Sequence, residues 1–256
     1  VRKLQLTLIQ IDNYGPWTVT PSPKKECELQ CLQADLYSTL QKEFGKRKGL
    51  VFQLRFDNML AVSNGISLEE HKEILNKVNS LFPITVSMAV GVGETAYRAQ
   101  LEATIALQKM GSSRSEKRKG ILTGSTVSSP DENFVQIAHL DLNHSSLLTD
   151  TYPIYDTHLL LQRAHLHLME KMSRKNALVF YMGGDNFISL CNGVEKEEFL
   201  KVLADIKQAL GLELKAGVGT ARDGETAAKL AAEGLHEIRT GKSLGPIVVK
   251  SSDVLP

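Results

Sequence analysis

Apolar and polar positions alternate over residues 4–11 (Leu-Gln-Leu-Thr-Leu-Ile-Gln-Ile), the period of a β-strand. A loop carrying Pro16, Pro21 and Pro23 follows. Leu29, Leu32, Leu36, Leu40 and Phe44 then recur every three or four residues, which predicts an amphipathic helix. Leu50–Phe56 and Met59–Ser63 are β-rich runs joined across Asp57-Asn58 and read as a hairpin with Asp57 at its tip. Ser67-Leu-Glu-Glu70 is a capping box that opens a helix through Ile74, Leu75, Val78 and Leu81. Ile84–Val92 is an apolar, β-branched strand, and Glu94–Met110 is another helix. The order is β-α-β-β-α-β, the split βαβ of ferredoxin-like folds, with an extra helix.

The pattern then repeats. Leu6-Thr-Leu-Ile-Gln-Ile-Asp12-Asn13 reads like Val135-Gln-Ile-Ala-His-Leu-Asp141-Leu142, an offset of 129. Gly49-Leu-Val-Phe-Gln-Leu-Arg-Phe-Asp57-Asn58 matches Ala177-Leu-Val-Phe-Tyr-Met-Gly-Gly-Asp185-Asn186 at an offset of 128. Thr85-Val-Ser-Met-Ala-Val-Gly-Val-Gly-Glu94-Thr95-Ala96 recurs as Glu213-Leu-Lys-Ala-Gly-Val-Gly219, a short insertion, and Glu225-Thr226-Ala227. Three blocks in one order make a tandem duplication of a unit of roughly 125 residues. The reading is therefore α+β: two tandem ferredoxin-like, palm-type domains, residues 1–125 and 126–256, the second ending in a strand at Ile247–Val249. Between the copies, Gly111–Asn133 is rich in Ser, Gly, Lys and Arg and reads as a solvated connector.

Composition narrows the function classes. The 256 residues suit one large or two small domains, and 42% hydrophobic with 23% charged residues is the balance of a globular protein. A net charge of +1 gives no basic field for nucleic acid. The longest uncharged run, Val78–Gly93, has 16 residues and includes Pro83, short of the ~20 apolar residues of a membrane span. Arg2-Lys3 leads into only a short apolar stretch, no secretory leader, so the expected location is the cytoplasm. Cys27 and Cys31 lack a third ligand for zinc, and His165 and His167, two apart on a helix, point in different directions.

In this topology strand 1 lies beside the hairpin, so Asp12 converges on Asp57 and Asp141 on Asp185. Two carboxylates suit Mg²⁺, which takes one or two of them together with water and phosphate oxygens. A pair of such ions clamps a polyphosphate. Asp-Asn at a hairpin is also ordinary turn chemistry; its recurrence in both copies favours metal. Gly15, Pro16 and Trp17, after Asn13, form either a backbone cradle for phosphate or a rigid turn. Gly91-x-Gly93 and Gly217-x-Gly219 let the backbone pass close to a neighbour. Lys215 and Arg222 either reach phosphates or sit on a solvated surface.

These residues carry a resemblance. An Asp ending strand 1 plus Gly-Gly-Asp-Asn at a hairpin resembles the palm domain of polymerases, class III nucleotidyl cyclases and Gly-Gly-Asp-Glu-Phe diguanylate cyclases. More specifically, Gln10-Ile-Asp-Asn-Tyr-Gly-Pro-Trp-Thr18, Arg55-Phe-Asp-Asn58, Met182-Gly-Gly-Asp-Asn-Phe187 and Leu214-Lys-Ala-Gly-Val-Gly219 are similar to archaeal GTP cyclohydrolase III, across essentially the whole chain. The resemblance implies an Mg²⁺-dependent hydrolase of the GTP cyclohydrolase IIa type. Such an enzyme converts GTP to 2-amino-5-formylamino-6-(5-phospho-ribosylamino)pyrimidin-4(3H)-one and two orthophosphates, in flavin and deazaflavin synthesis. It also implies two Mg²⁺ ions, stimulation by K⁺-like cations and a homotetramer.

Carried over residue by residue, Asp12, Asp57, Asp141 and Asp185 are the catalytic and metal positions, with Asp12 and Asp57 favoured because the family loop adjoins them. Asn13, Gly15, Trp17, Asn58, Asn186, Lys215 and Arg222 are the nucleotide-binding candidates. Asn186 stands where diguanylate cyclases have a Glu, which argues against cyclic dinucleotide synthesis. In the first copy Arg55-Phe56 replaces the Gly-Gly. A nucleotidyl cyclase and a non-catalytic GTP–Mg²⁺ sensor are the competing readings.

Overall fold

The computed structural model describes residues 2–19 and 25–252, so Pro21 and Pro23 lie outside the described residues. The chain divides into two compact units: residues 1–94, 98–133 and 223–225, and residues 95–97, 134–222 and 226–256. The first contains β1 (Leu4–Ile11), α1 (Gly15–Val19), α2 (Glu26–Gly45), β2 (Leu50–Arg55), β3 (Asn58–Val62), α3 (Leu68–Leu81), β4 (Val86–Gly93), α4 (Ala96–Lys109) and β5 (Leu122–Gly124). The second contains β6 (Val135–Leu142), α5 (Ser145–Thr151), α6 (Ile154–Ser173), β7 (Leu178–Gly183), β8 (Asn186–Leu190), α7 (Lys196–Leu210), β9 (Leu214–Ala221), α8 (Gly224–Arg239) and β10 (Ile247–Ser251). No helix of the described residues is long and apolar enough to cross a membrane.

Each unit is a five-stranded sheet, in the orders β2-β3-β1-β4-β5 and β10-β9-β6-β8-β7. The opening strand sits at the centre, antiparallel to both neighbours. The last strand joins in parallel, after a helical crossover. This is the expected split βαβ order with one added edge strand, and it makes the fold class α+β, twice. The alternation of β1 sends Ile9 and Ile11 under α2 and α3, where they pack with Leu36, Leu40, Phe44, Ile74 and Val78. Leu140 and Leu142 do the same in the second unit, against Leu168, Met172, Phe199 and Ile206. The capping box closes as the sequence requires: Glu70 N donates to Ser67 Oγ at 3.2 Å, and Ser67 N donates to Glu70 Oε2 at 2.9 Å.

The opposite face is covered by α4 in the first unit and α8 in the second. A Cβ on Gly91 would lie 2.2 Å from the Ala99 carbonyl oxygen, and one on Gly217 would lie 1.9 Å from that of Ala231. Any side chain there would push the helix off the sheet, so these glycines serve close packing rather than phosphate binding. The connector departs from expectation. Leu122–Gly124 pairs with β4, and Arg118 is 3% exposed. Its Lys/Arg-rich composition masked one buried arginine among several solvated ones.

The start of β1 carries a buried polar cluster. Gln5 Nε2 donates to the Ser63 carbonyl at 2.6 Å, and the Thr7 and Ser63 hydroxyls are hydrogen-bonded at 2.8 Å. His71, wholly buried, contacts Thr7 Oγ1 and the Ser67 carbonyl oxygen, each at 2.7 Å. The carbonyl can only accept, so Nδ1 carries the proton and Nε2 accepts from Thr7. Burial pushes the His71 pKa down, outweighing the hydrogen bond to Ser67 and nearby Glu70, which favour the charged form. A folded-state value below the unfolded one means the stabilisation is full above about pH 6.5 and is lost as pH falls through the folded value. The His71 ring-proton resonance should therefore keep its neutral shift at pH 6. Half-titration there would show that the ring is not held in this cluster.

Candidate functional site

The hydrogen bonds at the two ends of the central strands fix how the copies correspond. Gln5 N donates to Asn64 Oδ1 at 2.8 Å, and Gln136 N donates to Asn192 Oδ1 at 3.0 Å. At the other end, Asp12 N donates to the Thr85 carbonyl at 2.9 Å, and Asn143 N to that of Glu213 at 2.8 Å. Gln10 pairs with Asn58, and Asp141 pairs with Asn186. The strands therefore correspond at an offset of 131, not the 129 read from the sequence. The structural counterpart of Asp141 is Gln10, and that of Asp12 is Asn143. Side-chain direction repeats every two residues, so a slip by two keeps every residue on its own face and leaves no trace in the hydrophobic pattern. The two aspartates that appeared to recur occupy different places.

In the first unit Asp12 is buried and surrounded by donors. Ser87 Oγ donates to Oδ1 at 2.7 Å, Thr85 Oγ1 to Oδ2 at 2.9 Å, and Gly120 N to Oδ2 at 2.9 Å. Arg118 adds a buried ion pair, Nε and Nη2 each 3.2 Å from Oδ1. The same guanidinium donates to Gln10 Oε1 at 2.6 Å, while Gln10 Nε2 donates to Asn58 Oδ1 at 2.8 Å. Asp57 is adjacent through its backbone, whose carbonyl accepts from Ile11 N at 3.0 Å. Its carboxylate takes a bidentate pair from Arg55, at 3.0 and 2.6 Å. Partial burial raises the Asp57 pKa, but hydrogen bonds from Arg55 and Asn58 outweigh it and hold the carboxylate below its usual range. Each acid is thus ion-paired to its own arginine.

The second unit is different. Gly183 and Gly184, at φ +94° and +58°, make a turn open to few other residues, and it presents Asp185. The Asp185 side chain is near enough to Asp141 to influence it, and Asp185 Oδ1 accepts from Asn186 Nδ2 at 3.1 Å. Lys215 Nζ stands 3.0 Å and Arg239 Nη2 2.8 Å from Asp141 Oδ2. Burial works against the Asp141 charge, but hydrogen bonds from Arg239 and Lys215 win and keep its pKa low. His139 Nε2 is 3.0 Å from Asn186 Oδ1. A cavity of about 270 Å³ opens beside Asp185, with Leu142, Leu148 and Leu161 on its apolar side and Ser145, Thr157, His158 and Tyr181 as polar lining.

Asp185 lines the cavity and Asp141 lies buried next to it, the one or two carboxylates that Mg²⁺ takes, with Lys215 and Arg239 placed to balance an anionic substrate. Among the described residues there is no group of three His, Cys, Asp or Glu, so the remaining ligands would be water and phosphate oxygens.

The other candidates disperse. Asn13 sits in the left-handed region at φ +48°, its N–H donated to the Ser113 carbonyl at 2.6 Å. Gly15 and Pro16 open α1, and the Trp17 side chain lies outside the described part. Asn58 and Asn186 are engaged by Gln10 and His139. Lys215 stands at the start of β9 and Arg222 just past its end, roughly 20 Å apart along a strand of this length. Sequence reasoning missed Arg118 and Arg239, both distant in sequence from the acids that they meet.

Fold and site together define a tandem palm-type protein in which one copy has Asp141 beside Asp185 and the other has Gln10 at the rung of its first acid. A family model for GTP cyclohydrolase III matches residues 6–252. The GTP cyclohydrolase III of Methanothermobacter thermautotrophicus is 50% identical over 239 residues, covering 93% of this chain and 95% of that one. That of Methanocaldococcus jannaschii is 47% identical, covering 92% and 88%. The chain belongs to the GTP cyclohydrolase III family. Among solved structures, the GGEEF domain of a Vibrio cholerae diguanylate cyclase aligns with a TM-score of 0.38 at 14% identity, covering 46% of this chain and 83% of that one.

The asymmetry has a measurable consequence. Asp12→Asn leaves the buried Arg118 charge uncompensated and should destabilise the fold by about 3–5 kcal/mol. Asp57→Asn breaks an exposed pair and should change stability by less than about 1 kcal/mol. Urea unfolding of both variants checks this; equal small effects would contradict the clamp.

Proposed function

We propose that the protein hydrolyses GTP in the presence of Mg²⁺ to 2-amino-5-formylamino-6-(5-phospho-ribosylamino)pyrimidin-4(3H)-one and two orthophosphates. Family membership over almost the whole chain supports the reaction class, and the Asp141–Asp185 pair is the observation that supports where it occurs. In balanced terms, one water adds at C8 of the purine, the C8–N9 bond breaks, and the formyl group stays on N7. Two further waters cleave the two phosphoanhydride bonds.

Asp141 and Asp185 would hold Mg²⁺, which supplies charge neutralisation along the phosphate chain. Lys215 and Arg239 keep Asp141 ionised and bring two positive charges to the same edge, where they bind and orient the polyphosphate. The Gly183–Gly184 turn gives Asp185 room to follow the substrate, and the cavity beside it receives the group next to the phosphates. The metal positions of this proposal are therefore in the second copy, not at Asp12 and Asp57. A second Mg²⁺, stimulation by K⁺-like cations, a homotetramer, a cytoplasmic location and a role in flavin and deazaflavin synthesis belong to the same proposal through the family.

The test is incubation with GTP and Mg²⁺, with and without EDTA, following free phosphate, the purine ultraviolet band and the product mass. Orthophosphate, loss of the purine chromophore and a retained formyl group are expected. Pyrophosphate with an intact purine would identify a cyclase instead, and bound but unchanged GTP a sensor. Asp185→Asn and Asp141→Asn should each lower kcat on the order of 100-fold or more, while Asp57→Asn keeps most activity. Loss on Asp57→Asn with activity kept in Asp185→Asn would move the site to the first copy.

A further inference from the structure

The first unit has a concavity that the proposed reaction does not use. Its volume is about 570 Å³, within the range of small-molecule sites. The sheet contributes Leu8 and Gln10, the hairpin Asn58, helix α4 Gln100 and Thr104, and the connector Ser113.

Its electrostatics are distinctive. No carboxylate lines it, and the two guanidinium groups at its edge are both ion-paired, Arg55 with Asp57 and Arg118 with Asp12. The lining is therefore close to neutral, so a free cation or a bare phosphate has nothing to balance it. Hydrogen-bonding capacity remains instead. Among the described residues, Gln100 Nε2, the Gln108 carboxamide and the Ser113 hydroxyl take part in no side-chain hydrogen bond, and carboxamides both donate and accept. Leu8 and Leu107 supply buried apolar surface between these groups. Neutral walls with mixed donors, acceptors and apolar patches match a nitrogen heterocycle.

We propose that this pocket of the first copy binds the base of a purine nucleoside, without metal and without the carboxylates of the second copy. The choice of a purine rests on the proposed function; the neutral heterocycle rests on the lining alone. The position that carries Asp141 in the second copy carries Gln10 here, held flat by Arg118 and Asn58. The rung that holds an acid in the second copy holds an amide here.

The experiment is calorimetric titration of the full-length protein with guanosine, which has no phosphate, in EDTA. One site per chain is expected. Gln100→Leu, which keeps helix propensity and volume, should weaken it about 10-fold by removing one hydrogen-bonding group. Thr104→Phe, which fills the pocket, should abolish it, and Asp185→Asn should leave it within twofold. Thermal unfolding confirms that the variants are folded. If Thr104→Phe does not fold, Gln100→Leu and Gln108→Leu decide the question. Absence of guanosine binding at millimolar concentration overturns the proposal, as does binding unaffected by the α4 variants. GTP turnover is scored separately: turnover without guanosine binding removes only this site, and guanosine binding without turnover removes only the reaction.

Discussion

The central strand of each sheet governs this molecule. β1 and β6 are hydrogen-bonded along both edges and covered on both faces, so a polar side chain on them is tolerated only where its partner is built in. Gln5, Thr7, Gln10 and Asp12 each meet that requirement, through Ser63, His71, Arg118 and Ser87. In the second unit Asp141 meets it through Lys215 and Arg239. Every contact of the two candidate sites descends from which residue occupies which rung of that strand.

Rungs also explain what could and could not be read in advance. The strands, helices, hairpins and capping box were legible, because apolar period and turn chemistry report on local structure. The duplication was legible for the same reason. The strand-1 alignment was not. Matching Asp12 to Asp141 satisfied both the pattern and the eye, while backbone pairing sets Asp141 against Gln10. Arg118 was unreadable for another reason: nothing in a run of Ser, Gly, Lys and Arg marks the one side chain that turns inward, 106 residues from its acid.

The two copies now contrast in charge as well as in sequence. Around Asp12 one buried arginine answers one carboxylate, and an amide occupies the rung beside it. Around Asp141 two cations face the buried carboxylate, and the neighbouring Asp185 borders open space. The first arrangement is complete as it stands. The second has both signs concentrated and partly exposed, which is how clefts for charged substrates are built. The Gly-Gly turn belongs to this contrast, since the first copy has Arg55-Phe56 there and no positive φ at either residue.

The amide clamps that set strand register, Gln5 with Asn64 and Gln136 with Asn192, lie at the opposite end of the strands from the acids. Alignment of the sheet is thus secured away from the candidate sites. With the register held there, the far end of each strand can carry a carboxylate or a carboxamide without unseating the pairing. A fold divided in this way can keep one half as a reactive centre and let the other drift towards recognition.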